Sequence, residues 1–132
     1  MYKKLEVKSS RRNDMIDITD QVLSFIRESS INDGILVINV LHTTAAVTIN
    51  ENADPDVKKD IINELAKLVP KHDNYKHIEG NADAHIKTSI MGNNETIIIK
   101  NGRLKLGSWQ GIFLCDFDGP RNRTVILKII ED

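Results

Sequence analysis

Ile35-Leu36-Val37-Ile38-Asn39-Val40-Leu41 is six apolar residues around one asparagine, and most of the six are β-branched. β-Branched side chains lose rotamer freedom in a helix and pack well on a pleated surface. Too short for a helix of ordinary length and bounded by the turn signal Asn32-Asp33-Gly34, the run reads as a buried strand. Aromatic residues make up only 5% of the 132 residues, so such a strand must pack on other Ile, Leu and Val side chains. The rest of the chain supplies them in strand-length pieces. A chain of this size suits one domain with one core, here residues 1–132.

Met1 to Lys8 alternates weakly, as an edge strand does, and Asp14 to Ile18 reads as a short strand. Thr19 or Asp20 can cap a first helix through about Ser29, with Val22, Leu23, Phe25 and Ile26 as its apolar set. Ala46 to Asn50 reads as the neighbour of the Ile35 strand. Asp54 and Pro55 open the clearest helix, in which Val57, Ile61, Leu65 and Leu68 form one apolar stripe that Pro70 closes. Tyr75 to Ala84 reads as a polar loop and His85 to Met91 as a strand. Thr96 to Lys100 and Arg103 to Leu106 flank Asn101-Gly102, a favoured hairpin turn. Trp109 to Phe117 and Thr124 to Ile130 are further strands, on either side of the sharp turn Asp118-Gly119-Pro120. With about seven strands and two helices, strands dominating the second half, the expectation is a β-rich α+β fold.

A net charge of -1 provides no field for nucleic acid or an anionic membrane. The single cysteine, Cys115, excludes an intrachain disulfide, and its place in an apolar strand suggests an inert thiol. Met1 to Ser10 has no hydrophobic region of the signal-peptide kind, and no apolar run approaches the ~20 residues of a membrane helix. A soluble, cytoplasmic protein is the expectation, with neither nucleic acid nor membrane as a partner.

Three groups of polar residues carry possible chemistry. His42, His77 and His85 lie at strand ends or in loops. Folded together, with a carboxylate nearby, they suit Zn²⁺ or a similar ion with a position left open, although three surface or hydrogen-bonding histidines would look the same. Glu79, Asn81 and Asp83 crowd the same stretch among small residues. Glu51 and Asn52 could hold a cation or orient a ring, while Asp54 serves as a helix cap; the free N–H groups of that helix start suit a phosphate. Asp116, Asp118, Arg121 and Arg123 form the second group. A guanidinium after the Gly-Pro turn can grip a phosphate in two places, or else close an internal salt bridge. In the third group, Trp109 can stack on a flat heterocycle with Gln110 bonding its edge, or serve as core or interface.

Taken together, His42-Thr43-Thr44-Ala45-Ala46, Thr48-Ile49-Asn50-Glu51, Asp54-Pro55-Asp56-Val57, the run His77 to His85, Gly102 to Gly107, Trp109 to Phe113 and Asp116 to Arg121 resemble the YjbQ-like family, often called the secondary thiamine-phosphate synthase family. The resemblance runs from about His42 to the C-terminus. It implies a YjbQ-like α+β domain that assembles as a homotrimer, with sites near subunit boundaries. It also implies a thiamine-phosphate synthase-like transferase that joins a pyrimidine diphosphate to a thiazole phosphate and releases pyrophosphate. In that reading His42, His77 and His85 hold a divalent metal, zinc or magnesium. Arg121, with Asp118 and Glu51, serves catalysis by steadying the charge of the departing group. Trp109, Gln110, Asn81 and Arg121 bind the phosphorylated substrate. A different metal-dependent phosphate-ester hydrolase or transferase, or a non-catalytic trimer that binds a small ligand or metal, fits the same residues. The chain departs from the family pattern at Ile98, usually Pro; at Asn94, often Ser; at Ser108, usually Thr; and at Asp116, often Glu.

Overall fold

The computed structural model describes residues 1–132. Its elements in order are β1 (Tyr2–Lys8), β2 (Asp14–Asp17), α1 (Thr19–Ser29), β3 (Gly34–Val40), β4 (Ala45–Glu51), α2 (Pro55–Leu68), α3 (Ala82–Met91), β5 (Asn94–Lys100), β6 (Arg103–Leu104), β7 (Gln110–Asp116) and β8 (Asn122–Glu131). The α+β class is as expected, with eight strands and three helices in place of about seven and two.

The strands form two antiparallel sheets. One has the order β1-β8-β3-β5-β6 and the other β2-β7-β4. The dense run at Ile35 is the middle strand of the large sheet, between β8 and β5, and Leu36, Ile38 and Val40 point inward. They meet Val125, Leu127 and Ile129 of β8 and Ile97 and Ile99 of β5 on one side of a shared core. Val47, Ile112 and Leu114 come from the small sheet, and Val22, Phe25 and Ile26 of α1 fill the same core. Aliphatic residues thus build nearly all of it, as the shortage of aromatics requires. A second cluster lies on the other face of the small sheet, where Met15, Ala46, Phe113, Cys115 and Phe117 meet Ile61, Ile62 and Leu65 of α2 and Ala84 of α3.

Three expectations need correction. First, β4 does not neighbour β3. It pairs with β7 in the other sheet, because the chain from Leu41 to Thr44 crosses between sheets instead of closing a hairpin. Adjacent strands pair often, but no glycine or asparagine of a tight turn stands here to bring that about. Second, His85 to Met91 is helix, and so are Ala82 to Ala84 from the expected loop. The buried face of α3 is Asp83, Ala84, Lys87 and Thr88, while Ile86 and Ile90 face outward. Apolar periodicity therefore points away from the core and hides the helix. The true mark is polar: Asp83 and Lys87, four apart, form a buried ion pair of 3.0 Å. Third, α1 is not capped by Thr19 or Asp20. The carboxylate of Asp17 accepts from the backbone N–H of Thr19 at 2.9 Å and from its hydroxyl. At α2 the Asp54 cap stands as expected, accepting from the Asp56 N–H at 2.9 Å. Its stripe is shorter than expected, since Leu68 is exposed.

Candidate functional site

Antiparallel pairing of β4 with β7 decides which candidate residues can meet. Ala45 lies opposite Asp116 at one end of the pair and Glu51 opposite Gln110 at the other. Six residue steps separate the ends, about 20 Å of strand. Glu51, Trp109 and Gln110 therefore sit away from Asp116 and the Asp118–Arg121 turn within one chain. Their polar groups have local tasks. A carboxylate oxygen of Glu51 accepts from the Asp54 N–H at 3.2 Å, and the Gln110 side-chain carbonyl accepts from the Gly107 N–H at 2.7 Å. Trp109 is 65% exposed. Gly111 permits this packing, since a Cβ there would lie 2.4 Å from the side-chain nitrogen of Asn52.

At the other end, Asp116 is fully buried and accepts four hydrogen bonds. Arg123 donates two, at 2.6 and 3.0 Å, the Ser9 hydroxyl one at 2.6 Å and the Asp118 N–H one at 2.9 Å. Burial pushes this carboxyl up, but Arg123 and Ser9 outweigh it and hold it below its usual range. Arg123 also donates to the Thr44 hydroxyl at 2.8 Å. This is a structural ion pair joining β7, β8 and the crossing from β3 to β4. Asp118 accepts instead from Arg121 at 3.0 Å and from the Asn81 amide at 2.9 Å, nearer the surface. Arg12 grips the buried Asp83 with two bonds of 2.9 Å and Lys87 adds a third; burial opposes them, yet the carboxyl is held down at about 2.

Beside this framework lies an open hollow of about 530 Å³ lined by His42, Thr43, His85, Thr88, Ser89, Gly92 and Asn93, with no hydrophobic residue among them. Two of the three candidate histidines are therefore brought to one place. His42 is held by an unusual contact. Its Nε2 accepts the backbone N–H of Thr124 at 2.8 Å. That bond leaves the neutral ring with its proton on Nδ1, as a donor. Burial, and then the charge of Arg123, with a further contribution from Arg121, lower the ring's affinity for a second proton. Thr88 is buried, and its hydroxyl oxygen has no hydrogen-bond partner; neither has the buried Oδ1 of Asn81. A buried polar atom without a partner costs free energy, and a bound ligand would remove that cost.

His77 meets His85 edge to face, with ring centroids 5.3 Å apart and planes at 78°. Glu79 lies 4.0 Å from His77 Nε2. No group of three or more His, Cys, Asp or Glu side chains in the chain could hold a metal ion. His42, with Nε2 engaged and Nδ1 protonated, offers no free lone pair. The donor set within one chain therefore does not fit the expected three-histidine metal site. Cys115 is buried, and burial pushes its thiol up to about 12, which suits the inert role expected. Thr43, Thr88, Ser89 and Asn93 were not singled out by sequence, because hydroxyl and amide residues at helix ends and turns are common and carry no spacing signature.

Fold and site together define an antiparallel two-sheet α+β domain with a histidine-lined polar hollow where β3 crosses to β4. The chain belongs to the YjbQ-like UPF0047 family: the family model described as UPF0047 protein YjbQ-like matches residues 3–132. It is 56% identical over 132 residues to a UPF0047 protein of Methanocaldococcus jannaschii, covering 100% of this chain and 96% of that protein. To the UPF0047 protein YugU of Bacillus subtilis it is 49% identical over 131 residues, covering 98% and 99%. A crystal structure of an uncharacterized conserved protein of this family from Clostridium acetobutylicum superposes with a TM-score of 0.95 at 53% identity, covering 97% of this chain and 99% of that one. A YbjQ-like protein of unknown function from Sulfolobus solfataricus superposes with a TM-score of 0.96 at 32% identity, covering 100% and 97%. No helix of the chain is long and apolar enough to cross a membrane.

Proposed function

We propose that the chain is an enzyme of phosphorylated small molecules that binds a phosphate group in the hollow between His42 and His85. One observation carries the reading: a hollow with no hydrophobic lining holds His42 with its Nδ1–H left to donate, beside the buried, unpartnered Thr88 hydroxyl. Donors there (His42 Nδ1–H, the hydroxyls of Thr43 and Thr88, the Asn93 amide) suit phosphate oxygens, whereas the Ser89 hydroxyl already donates to the His85 carbonyl at 2.9 Å.

The reaction proposed is of the thiamine-phosphate synthase type, a cytoplasmic transfer in which a pyrimidine diphosphate joins a thiazole phosphate and pyrophosphate leaves. Donors already aimed at the leaving group would stabilise the charge that develops on it. A metal-assisted version needs ligands beyond those one chain brings together; His77 and His85 would supply two, and substrate oxygens or a second copy the others. Self-association, as a homotrimer, is part of the proposal. It is supported by the uncovered face of the large sheet, where Ile98, Ile35 and Ile130 stand in one cross-strand row. Light scattering should give three times the 14.9 kDa chain mass.

The direct test is titration calorimetry with methylphosphonate, followed by turnover of the two substrates with and without Mg²⁺ or Zn²⁺. His85→Ala should abolish binding and turnover together. Retention of both would place the site elsewhere.

A further inference from the structure

Gly102 to Gly107 carries part of the family resemblance, yet the polar hollow makes no use of it. Gly102, Arg103 and Leu104 line a separate hollow of about 370 Å³ whose other wall is Leu23, Ile26 and Arg27 of α1. Asn93 lines the polar hollow just before β5 and Gly102 lines this one just after it, so the length of that strand, about 20 Å, lies between them. Leu23 and Arg27 are four apart in α1 and share one face of the helix. Leu104 lies opposite Ile99 and joins it and Ile26 in the main core. Asn101 and Gly102, with φ of 54° and 75°, make the two-residue turn between β5 and β6. The Gly102 N–H donates to the Asn32 carbonyl at 2.8 Å, which ties the turn down beside Arg103. β6 is the outermost strand of its sheet, so no further strand covers the hollow on that side. Arg12, Arg121 and Arg123 each hold an aspartate. Arg27 and Arg103, both exposed, enter no ion pair within the chain, and no acidic residue lines the hollow beside them.

We propose that the hollow between α1 and β6 binds a small aliphatic carboxylate, its charged end on Arg27 and Arg103 and its chain against Leu23, Ile26 and Leu104. Two cations without partners, and no acid beside them, favour an anion. A guanidinium offers a carboxylate two parallel N–H donors. Water and salt screen exposed charges, so the ionic contact alone holds such a ligand weakly. The chain must supply much of the affinity, and each methylene buried is worth about fourfold. The three apolar walls are aliphatic, with neither an aromatic ring to stack on nor a hydroxyl to bond, which suits an alkyl chain better than a ring or a sugar. The volume lies near the small end of the range for small-molecule sites, as a ligand of a few carbons requires. This site is independent of the phosphate reading, and either can fail without the other.

The experiment titrates the whole protein with hexanoate, hexan-1-ol and acetate and follows the amide signals by two-dimensional ¹H–¹⁵N NMR. Hexan-1-ol keeps the chain without the charge, and acetate keeps the charge without the chain. Hexanoate should shift the signals of Arg27, Gly102 and Arg103 saturably and bind at least tenfold more tightly than either other probe. Arg27→Gln and Arg103→Gln, at exposed positions, should each weaken hexanoate at least threefold and leave hexan-1-ol unchanged. Absence of these shifts, or saturable shifts confined to other residues, overturns the site. Hexan-1-ol binding as well as hexanoate, or hexanoate affinity undiminished in both variants, removes the arginines from it and overturns the proposal. Acetate binding as well as hexanoate removes the apolar walls and overturns it equally.

Discussion

Two acid–arginine pairs stand close together in the chain and do different things. The side chains of Asp116 and Arg123 are 0% and 2% exposed, those of Asp118 and Arg121 18% and 53%. The first pair is closed on itself: every lone pair that Asp116 presents is matched, and Arg123 reaches Thr44 as well. The second pair sits at a turn, where Arg121 keeps N–H groups free and Asp118 also receives Asn81. Identical chemistry becomes a fastener in one place and an adjustable surface group in the other, and depth alone makes the difference. A buried charge without its partner is costly, whereas water screens an exposed one.

Arg123→Ala should have the largest effect. It leaves Asp116 buried and unpaired, and urea unfolding should register a loss of about 3–5 kcal/mol. If Arg121→Ala costs as much, the contrast fails. Acid should act next. The Asp83 and Asp116 carboxyls are held below their ordinary value of 3.8, Asp83 at about 2. A depressed folded-state value means that the unfolded chain takes up protons first. The contribution is thus present above about pH 4 and lost as pH falls toward 2, and urea midpoints measured across that window should fall.

Thr88→Val sharpens the contrast from another side, since Thr88 is buried like Asp116 but unpartnered. Its removal should weaken methylphosphonate about three- to tenfold, the loss of one hydrogen bond of about 0.5–1.5 kcal/mol, with no fall in thermal midpoint. A lower midpoint with unchanged binding would make the hydroxyl structural. Arg121→Ala should have the smallest effect on stability, below about 1 kcal/mol and shrinking further in 1 M salt, where the stability difference between Arg123→Ala and the native protein stays large.

Strands and the α2 helix were legible because their apolar residues face inward, so that periodicity and burial agree. At α3 they disagree. Asp83 and Lys87 are inside and Ile86 and Ile90 outside, and a pattern of apolar residues then reports the wrong face. The separation of Glu51, Trp109 and Gln110 from the Asp116–Arg121 turn was hidden for a different reason. It depends on which strand β4 pairs with and in which register, and those are long-range facts. Resemblance to a family located the motifs but not their distances. The sequence singles out His42, yet its Thr124 partner lies 82 residues away, and nothing near either residue marks the bond.

That bond lies at the point where β3 ends. Leu41 still donates its N–H to the Thr124 carbonyl at 3.2 Å, and the next acceptor in line is the imidazole nitrogen. The ring stands in for a main-chain carbonyl and extends the ladder by one rung. Making His42 a base or a metal ligand through Nε2 would therefore mean unfastening one end of the β3–β8 ladder. The hollow's proton inventory is thus written into the pairing of β3 with β8, and it is set when the chain folds, before any ligand arrives.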